Sequence, residues 1–153
     1  MKLSEKDKNR HFCGTAFIVH NKKILLVNHK KLGMWLPIGG HMKKNETPDQ
    51  AVKREVKEEA GLDIEIISEN YPKFKNERVE MLSRPFTIAL QDIDSEHQHI
   101  DIQFVCRPIG NLKPNGTEEC KWFTSDEIEE LENCPDETKY FGKEAINIVK
   151  NLK

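Results

Sequence analysis

Glu55, Glu58 and Glu59 stand at i, i+3 and i+4 in the stretch AVKREVKEEAG, so on a helix they share one face. At about 100° per residue their side chains fall within an arc of roughly 100°. Ala51 lies inside that arc and Val52 just beyond it, whereas Lys53 and Lys57 point the other way. The acids are therefore expected on or beside the face turned toward the rest of the protein. Like charges at this spacing destabilise a helix, and partial burial raises the cost. A divalent cation among them removes that cost. Oxygen-only ligands select magnesium or manganese over zinc, and magnesium so held keeps positions open for water and substrate phosphates. The alternative is a solvated face on which Lys53 and Lys57 balance the acids, and the helix alone leaves both readings open.

Such a helix has to be started, stopped and presented. Thr47 is placed to cap it, Pro48 suits the first helical position, Gln50 completes a capping box with Thr47, and Gly61 ends it. Upstream, residues 13–19 and 23–27 read as strands joined by a hairpin turn at His20-Asn21-Lys22. Residues 35–38 lead into Gly39-Gly40, a signal for close backbone approach or an unusual turn. Strand character returns at 62–67, at 84–93 and at 99–107, the last two flanking a polar loop at 94–98. A short strand at 119–123 precedes a short helix at 125–131 begun by a serine cap. Phe141, Ala145, Ile148 and Leu152 fall on one face of a C-terminal docking helix. This order predicts a mixed α/β chain folded as a helix–sheet–helix sandwich.

The 153 residues suit one domain, expected over residues 11–153 after a solvated lead-in at 1–10. Apolar residues make up 37% and charged residues 33%, enough in clear runs to build a core. With 24 basic and 26 acidic residues the net charge is −2, so no global positive field holds bulk nucleic acid or an anionic membrane. A small nucleotide is not disfavoured. The four cysteines form no C-x-x-C pair and are expected to be reduced. The charged N-terminus lacks an apolar signal segment and no apolar run is long enough to span a bilayer, so a cytoplasmic protein is expected.

From Gly40 the chain reads GHMKKNETPDQAVKREVKEEAGL. Gly40, Glu46, Arg54, Glu55, Val56, Glu58, Glu59, Gly61 and Leu62 match every fixed and aliphatic position of the Nudix box, and the chain strongly resembles the Nudix hydrolase family, of MutT type. The resemblance extends to the ILLV strand, to Trp35-Leu36-Pro37 and to the Trp122-Phe123 strand. It implies an α/β/α sandwich with a mixed sheet. It also implies a metal-dependent hydrolase of a nucleoside diphosphate linked to another group, such as a nucleotide sugar, a dinucleotide or a modified nucleoside triphosphate. The resemblance makes Glu55, Glu58 and Glu59 the ligands of Mg2+ or Mn2+, often joined by the Gly39 carbonyl. Arg54 then orients the carboxylates with Glu46 as its partner. The base that takes the proton of the attacking water is either a box glutamate or a loop acid, for which Glu118 and Glu119 are the candidates; a solvated acidic turn is their alternative.

Three further residues are candidates for contacting substrate. In EHQHIDIQF, His99, Asp101 and Gln103 share one face of a strand, either toward a ligand or as the wet side of an edge. Zinc binding by His97 and His99 lacks a third ligand in the sequence. Trp35 can stack on a nucleobase or pack beside the glycine turn, while Phe17 and Phe86 read as core. The expected partner is a small nucleoside diphosphate derivative, with the protein a monomer or homodimer. Two other classes compete. A non-catalytic nucleotide-binding module of the same fold predicts a damaged box, whereas this box is intact. An isoprenyl diphosphate isomerase with Cys13 as catalytic cysteine likewise goes with a degenerate box.

Overall fold

The computed structural model describes residues 1–68 and 72–152. The strands are β1 (Asn9–His20), β2 (Lys23–His29), β3 (Met34–Leu36), β4 (Ile38–His41), β5 (Asp63–Ile67), β6 (Thr87–Asp92), β7 (His97–Ile109) and β8 (Cys120–Thr124); the helices are α1 (Pro48–Ala60), α2 (Ser125–Glu130) and α3 (Asp136–Lys150). Most are the expected elements with shifted ends, and the shifts have identifiable causes.

β1 starts four residues earlier than its apolar run because it pairs in parallel with β7 from Asn9 opposite His97 to Ile18 opposite Cys106. That pairing also draws His97 and Gln98 into β7, shortening the polar loop expected at 94–98. Gln98 is fully buried and its side chain accepts a hydrogen bond from Arg10 Nε at 2.9 Å. β6 begins only at Thr87, since Pro85 lacks the N–H a ladder needs. Pro37 splits the expected 35–38 segment into β3, which pairs with β2, and β4, which pairs with β1. Asn21 and Lys22 both have positive φ (49° and 60°), as a two-residue type I′ hairpin turn requires.

The sheet is mixed. β1 and β7 are parallel neighbours, β4 lies antiparallel on the other side of β1, and β5 and β6 pair with successive halves of β7. The far end of β1 turns into β2, which carries β3 and β8 on its edges. Alternation along β1 splits the core in two. Ala16 and Ile18 pack with Val52, Val56 and Ala60 of α1, whereas Phe17 and Val19 pack with Ile128, Ala145 and Ile146 of α2 and α3. The result is the α/β/α sandwich with a mixed sheet.

α1 is capped as its sequence requires: Thr47 Oγ1 accepts from Gln50 N, Gln50 reciprocates, and Gly61 ends the helix at φ 68°. Two helical expectations are corrected. Thr124, not Ser125, caps α2, forming a capping box with Glu127, because β8 runs one residue further than expected and Thr124 is its last residue. The buried face of α3 is Thr138, Gly142, Ala145 and Ile146; Phe141 and Ile148 lie at its flanks and Leu152 falls beyond the helix end. Gly142 allows that face to approach Ile24 of β2, since a Cβ there would lie 3.3 Å from Ile24 Cδ1. At the lead-in, Leu3–Glu5 forms a 3₁₀ turn, and Lys6 and Lys8 both pair with Asp92 at 2.8 Å.

Candidate active site

The carboxylates of α1 are organised by one arginine. Arg54 grips Glu46 with two hydrogen bonds, Nε to Oε2 at 2.6 Å and Nη2 to Oε1 at 3.0 Å. Its Nη1 reaches Glu55 Oε1 at 2.8 Å and Glu58 Oε2 at 3.3 Å, and Nη2 also donates to the His41 carbonyl at 3.1 Å. One guanidinium thereby ties the loop before α1, the end of β4 and two glutamates together, a fork geometry that lysine lacks. It holds the Glu46 carboxyl down to about 2 and its own pKa is raised in return. Because the folded pKa lies below the ordinary 4.5, the pair stabilises the fold above that pH and the contribution is lost as pH falls toward 2. Glu46→Gln should therefore cost about 1.5–3 kcal/mol at neutral pH, the range for a hydrogen bond to a charged group. Its melting temperature should also fall less steeply than wild type between pH 4.5 and 2; parallel acid limbs would contradict this role for the pair.

Glu55 and Glu59 are half-buried and Glu58 is exposed. Gly40 is what lets β4 approach Glu55, since a Cβ on it would lie 2.6 Å from Glu55 Oε1. Glu59 carries the tension of the site. Burial first, then the Glu55 charge and a side-chain hydrogen bond with Glu55, then the Glu118 and Glu58 charges, push its carboxyl well above the ordinary value. Its Oε2 is buried without a hydrogen-bond partner among the described residues. An acceptor-only oxygen set with one orphaned buried oxygen suits a hard divalent cation, and Glu55, Glu58 and Glu59 are the side chains that could hold it. Their oxygens do not converge as tightly as the neighbouring Cys13, His41 and His99, whose ligand atoms lie within 4.8 Å of one another. Arg54 draws Glu55 and Glu58 toward its guanidinium. Gly39 sits on β4 opposite Thr15, where a Cβ would lie 2.4 Å from the Gly14 carbonyl.

The loop before β8 closes over the end of α1. Asn115, Thr117 and Glu118 N–H groups donate to the carbonyls of Ala60, Glu58 and Glu59 at 2.7, 3.1 and 3.1 Å, satisfying the last turn of the helix. Gly116 is required there, because a Cβ would lie 2.3 Å from the Glu59 carbonyl. This docking separates the two loop acids. Glu118 is half-buried and its charge acts on Glu59, whereas Glu119 is exposed and accepts from Asn28 Nδ2 at 3.0 Å.

The remaining candidates lie elsewhere. Asp101 is buried, accepts from Thr15 Oγ1 at 2.7 Å and from Gln103 Nε2 at 2.9 Å, and burial raises its carboxyl. His99 is half-buried with its Nε2 3.0 Å from His41 Nε2, and burial lowers its pKa. The Trp35 ring meets Phe123 edge-on at 5.0 Å, within the cluster shared with α2 and α3. Phe17 and Phe86 are core residues of that same cluster. All four cysteines are free thiols, and burial, with Asp101 and Glu55 nearby, pushes Cys13 up to about 12, unlike an activated nucleophile. His41 escaped the sequence reading; its only local signal was its position directly after Gly39-Gly40.

Comparison with known proteins accords with this geometry. The NUDIX domain model matches residues 11–142. NAD-capped RNA hydrolase NudC of Vibrio atlanticus is 43% identical over 54 residues, which cover 34% of this chain and 20% of that protein, so the chain matches only a small part of that relative's length. A NUDIX-family hydrolase structure from Clostridium perfringens superposes with TM-score 0.79 at 28% identity, covering 92% of this chain and 99% of that one. The MutT NUDIX hydrolase structure from Burkholderia pseudomallei shares the fold, with TM-score 0.66 at 20% identity over 92% of this chain and 98% of that one. Among the described residues no helix is long and apolar enough to cross a membrane. With a complete box on a capped helix and a family match over most of its length, this chain belongs to the NUDIX family.

Proposed function

We propose that the chain is a divalent-metal-dependent pyrophosphohydrolase that cleaves the diphosphate linkage of a nucleoside diphosphate joined to another group. The observation that carries this reading is Glu59, a half-buried carboxylate whose buried Oε2 is orphaned, beside Glu55 and Glu118. Such a group is costly without a cation and fitting with one. A diphosphate resists attack because its own oxygens repel the nucleophile. A bound Mg2+ or Mn2+ supplies charge neutralisation and a more acidic water.

The residues divide the remaining work. Glu55, Glu58 and Glu59, with the Gly39 carbonyl, bind the ion. Arg54 orients Glu55 and Glu58 and is itself fixed by the two bonds to Glu46. Glu118 takes the proton of the attacking water; its backbone bond to the Glu59 carbonyl keeps it at the helix end. Trp35 packs on Phe123 and Asp101 is bonded to Thr15 and Gln103, so neither is assigned a substrate contact; a nucleotide sugar, a dinucleotide and a modified nucleoside triphosphate are the substrate classes. The reading implies a small-molecule partner and a cytoplasmic setting. A panel of such nucleotide derivatives, assayed with magnesium for mononucleotide or phosphate release, should show one class turned over well above the rest. Absence of release from every member, in magnesium and in manganese, would defeat the proposal.

A further inference from the structure

Across the sheet from the carboxylates of α1 lies a second group of donors of different chemistry. On one face of the sheet, His41 of β4 stands opposite Cys13 of β1, and Cys13 stands opposite Asp101 of β7. His99, two residues before Asp101, shares that face and reaches diagonally back to His41. One ligand atom from each of Cys13, His41 and His99 lies within 4.8 Å of the other two, and the two histidine Nε2 atoms are 3.0 Å apart. The rings meet at 85°, so the lone pairs are not stacked face to face. His11, the register partner of His99, lies nearly parallel to His41 with centroids 5.4 Å apart.

We propose that Cys13, His41 and His99 form a binding site for a zinc-class ion, separate from the hard-ion site of the glutamates. A tetrahedral ion with metal–sulfur and metal–nitrogen bonds of the usual length holds two nitrogens about 3.3 Å apart and a nitrogen and sulfur about 3.6 Å apart. The observed cluster needs shifts of a few tenths of an ångström between the histidines and at most about 1.2 Å at the sulfur to reach that arrangement. Two imidazole nitrogens at 3.0 Å satisfy each other only when one carries the proton and the other does not; a shared cation satisfies both. Asp101, the partner of Cys13 across the β1–β7 pair, adds a carboxylate to that face, which favours a dication there. Thiolate and imidazole select zinc over magnesium, so adjacent sites can sort the two metals by ligand type alone. Three protein ligands leave a fourth position for water. The ion would join β1, β4 and β7 on the face of the sheet opposite α1.

Cobalt titration of metal-free protein tests this without reference to turnover. One equivalent of Co2+ should produce a thiolate-to-metal charge-transfer band in the near ultraviolet, which zinc abolishes by displacement and excess magnesium does not. Cys13→Ser should lose the band, and His41→Ala and His99→Gln should each weaken cobalt binding by about tenfold or more. His41 is exposed, so His41→Ala is the variant that keeps the fold should Cys13→Ser not. No band in the wild type, a band surviving in Cys13→Ser, or unchanged cobalt affinity in both histidine variants would overturn the site. Magnesium-dependent hydrolysis failing while the cobalt band appears would instead count against the glutamate centre alone.

Discussion

Glu59→Gln should reduce turnover by about a hundredfold or more while leaving the metal-free protein at least as stable as wild type. The two effects come from one cause. In the folded chain Glu59 is desolvated, its Oε2 is orphaned, and Glu55, Glu58 and Glu118 all oppose its charge. A neutral isostere relieves that repulsion, so the metal-free melting temperature should hold or rise. The same change removes a negative oxygen from the cation site, so the stabilisation that millimolar magnesium gives the wild type by mass action should shrink. The direction with pH follows. A carboxyl raised on folding weakens the metal-free fold as pH climbs from 4.5 through the raised value, and magnesium should cancel that fall. Thermal melts with and without magnesium check it. A variant that is both destabilised and less than threefold slower would show that Glu59 is a packing residue.

Glu118→Gln should cost about a hundredfold in kcat with the magnesium requirement unchanged, and Glu119→Gln less than about threefold. A base acts only as the bond to phosphorus forms, so its loss falls on turnover, not on KM. The two residues are neighbours in sequence but differently placed. Glu118 is held at the end of α1 by its bond to the Glu59 carbonyl, while Glu119 is spent on Asn28. If Glu118→Gln instead raises the magnesium needed for half-maximal rate, Glu118 is a ligand and a box glutamate is the base. Near-wild-type rates in both variants would return the loop to a solvated turn.

How far the chain could be read beforehand depended on how local each signal was. α1 was legible end to end because Thr47, Pro48, Gln50 and Gly61 act within a few residues of one another. The hairpin turn expected at His20-Asn21-Lys22 was visible for the same reason. The ends of β1 and β7 were not, since what extends them is a parallel pairing between distant segments that buries Gln98 against Arg10. Thr124 stands three residues before Glu127 and so has the capping-box spacing, whereas Ser125 stands three before Ile128, so this cap was legible locally. In the site, the partnership of Arg54 with Glu46 followed from the family resemblance. The difference between Glu118 and Glu119 depends on which of them the Gly116 turn sets against α1. The grouping of Cys13, His41 and His99 had no sequence signal, because three strands from separate parts of the chain bring it together.

The central claim is that water, helped by a divalent ion among Glu55, Glu58 and Glu59, attacks phosphorus in a diphosphate. Hydrolysis of the preferred nucleotide derivative in oxygen-18 water, with magnesium and with excess chelator, tests it most directly. The account predicts one labelled oxygen in a phosphoryl group of the products when magnesium is present, and loss of turnover when it is chelated. Label on a carbon-bound hydroxyl of the products, or full turnover in chelator, would contradict it.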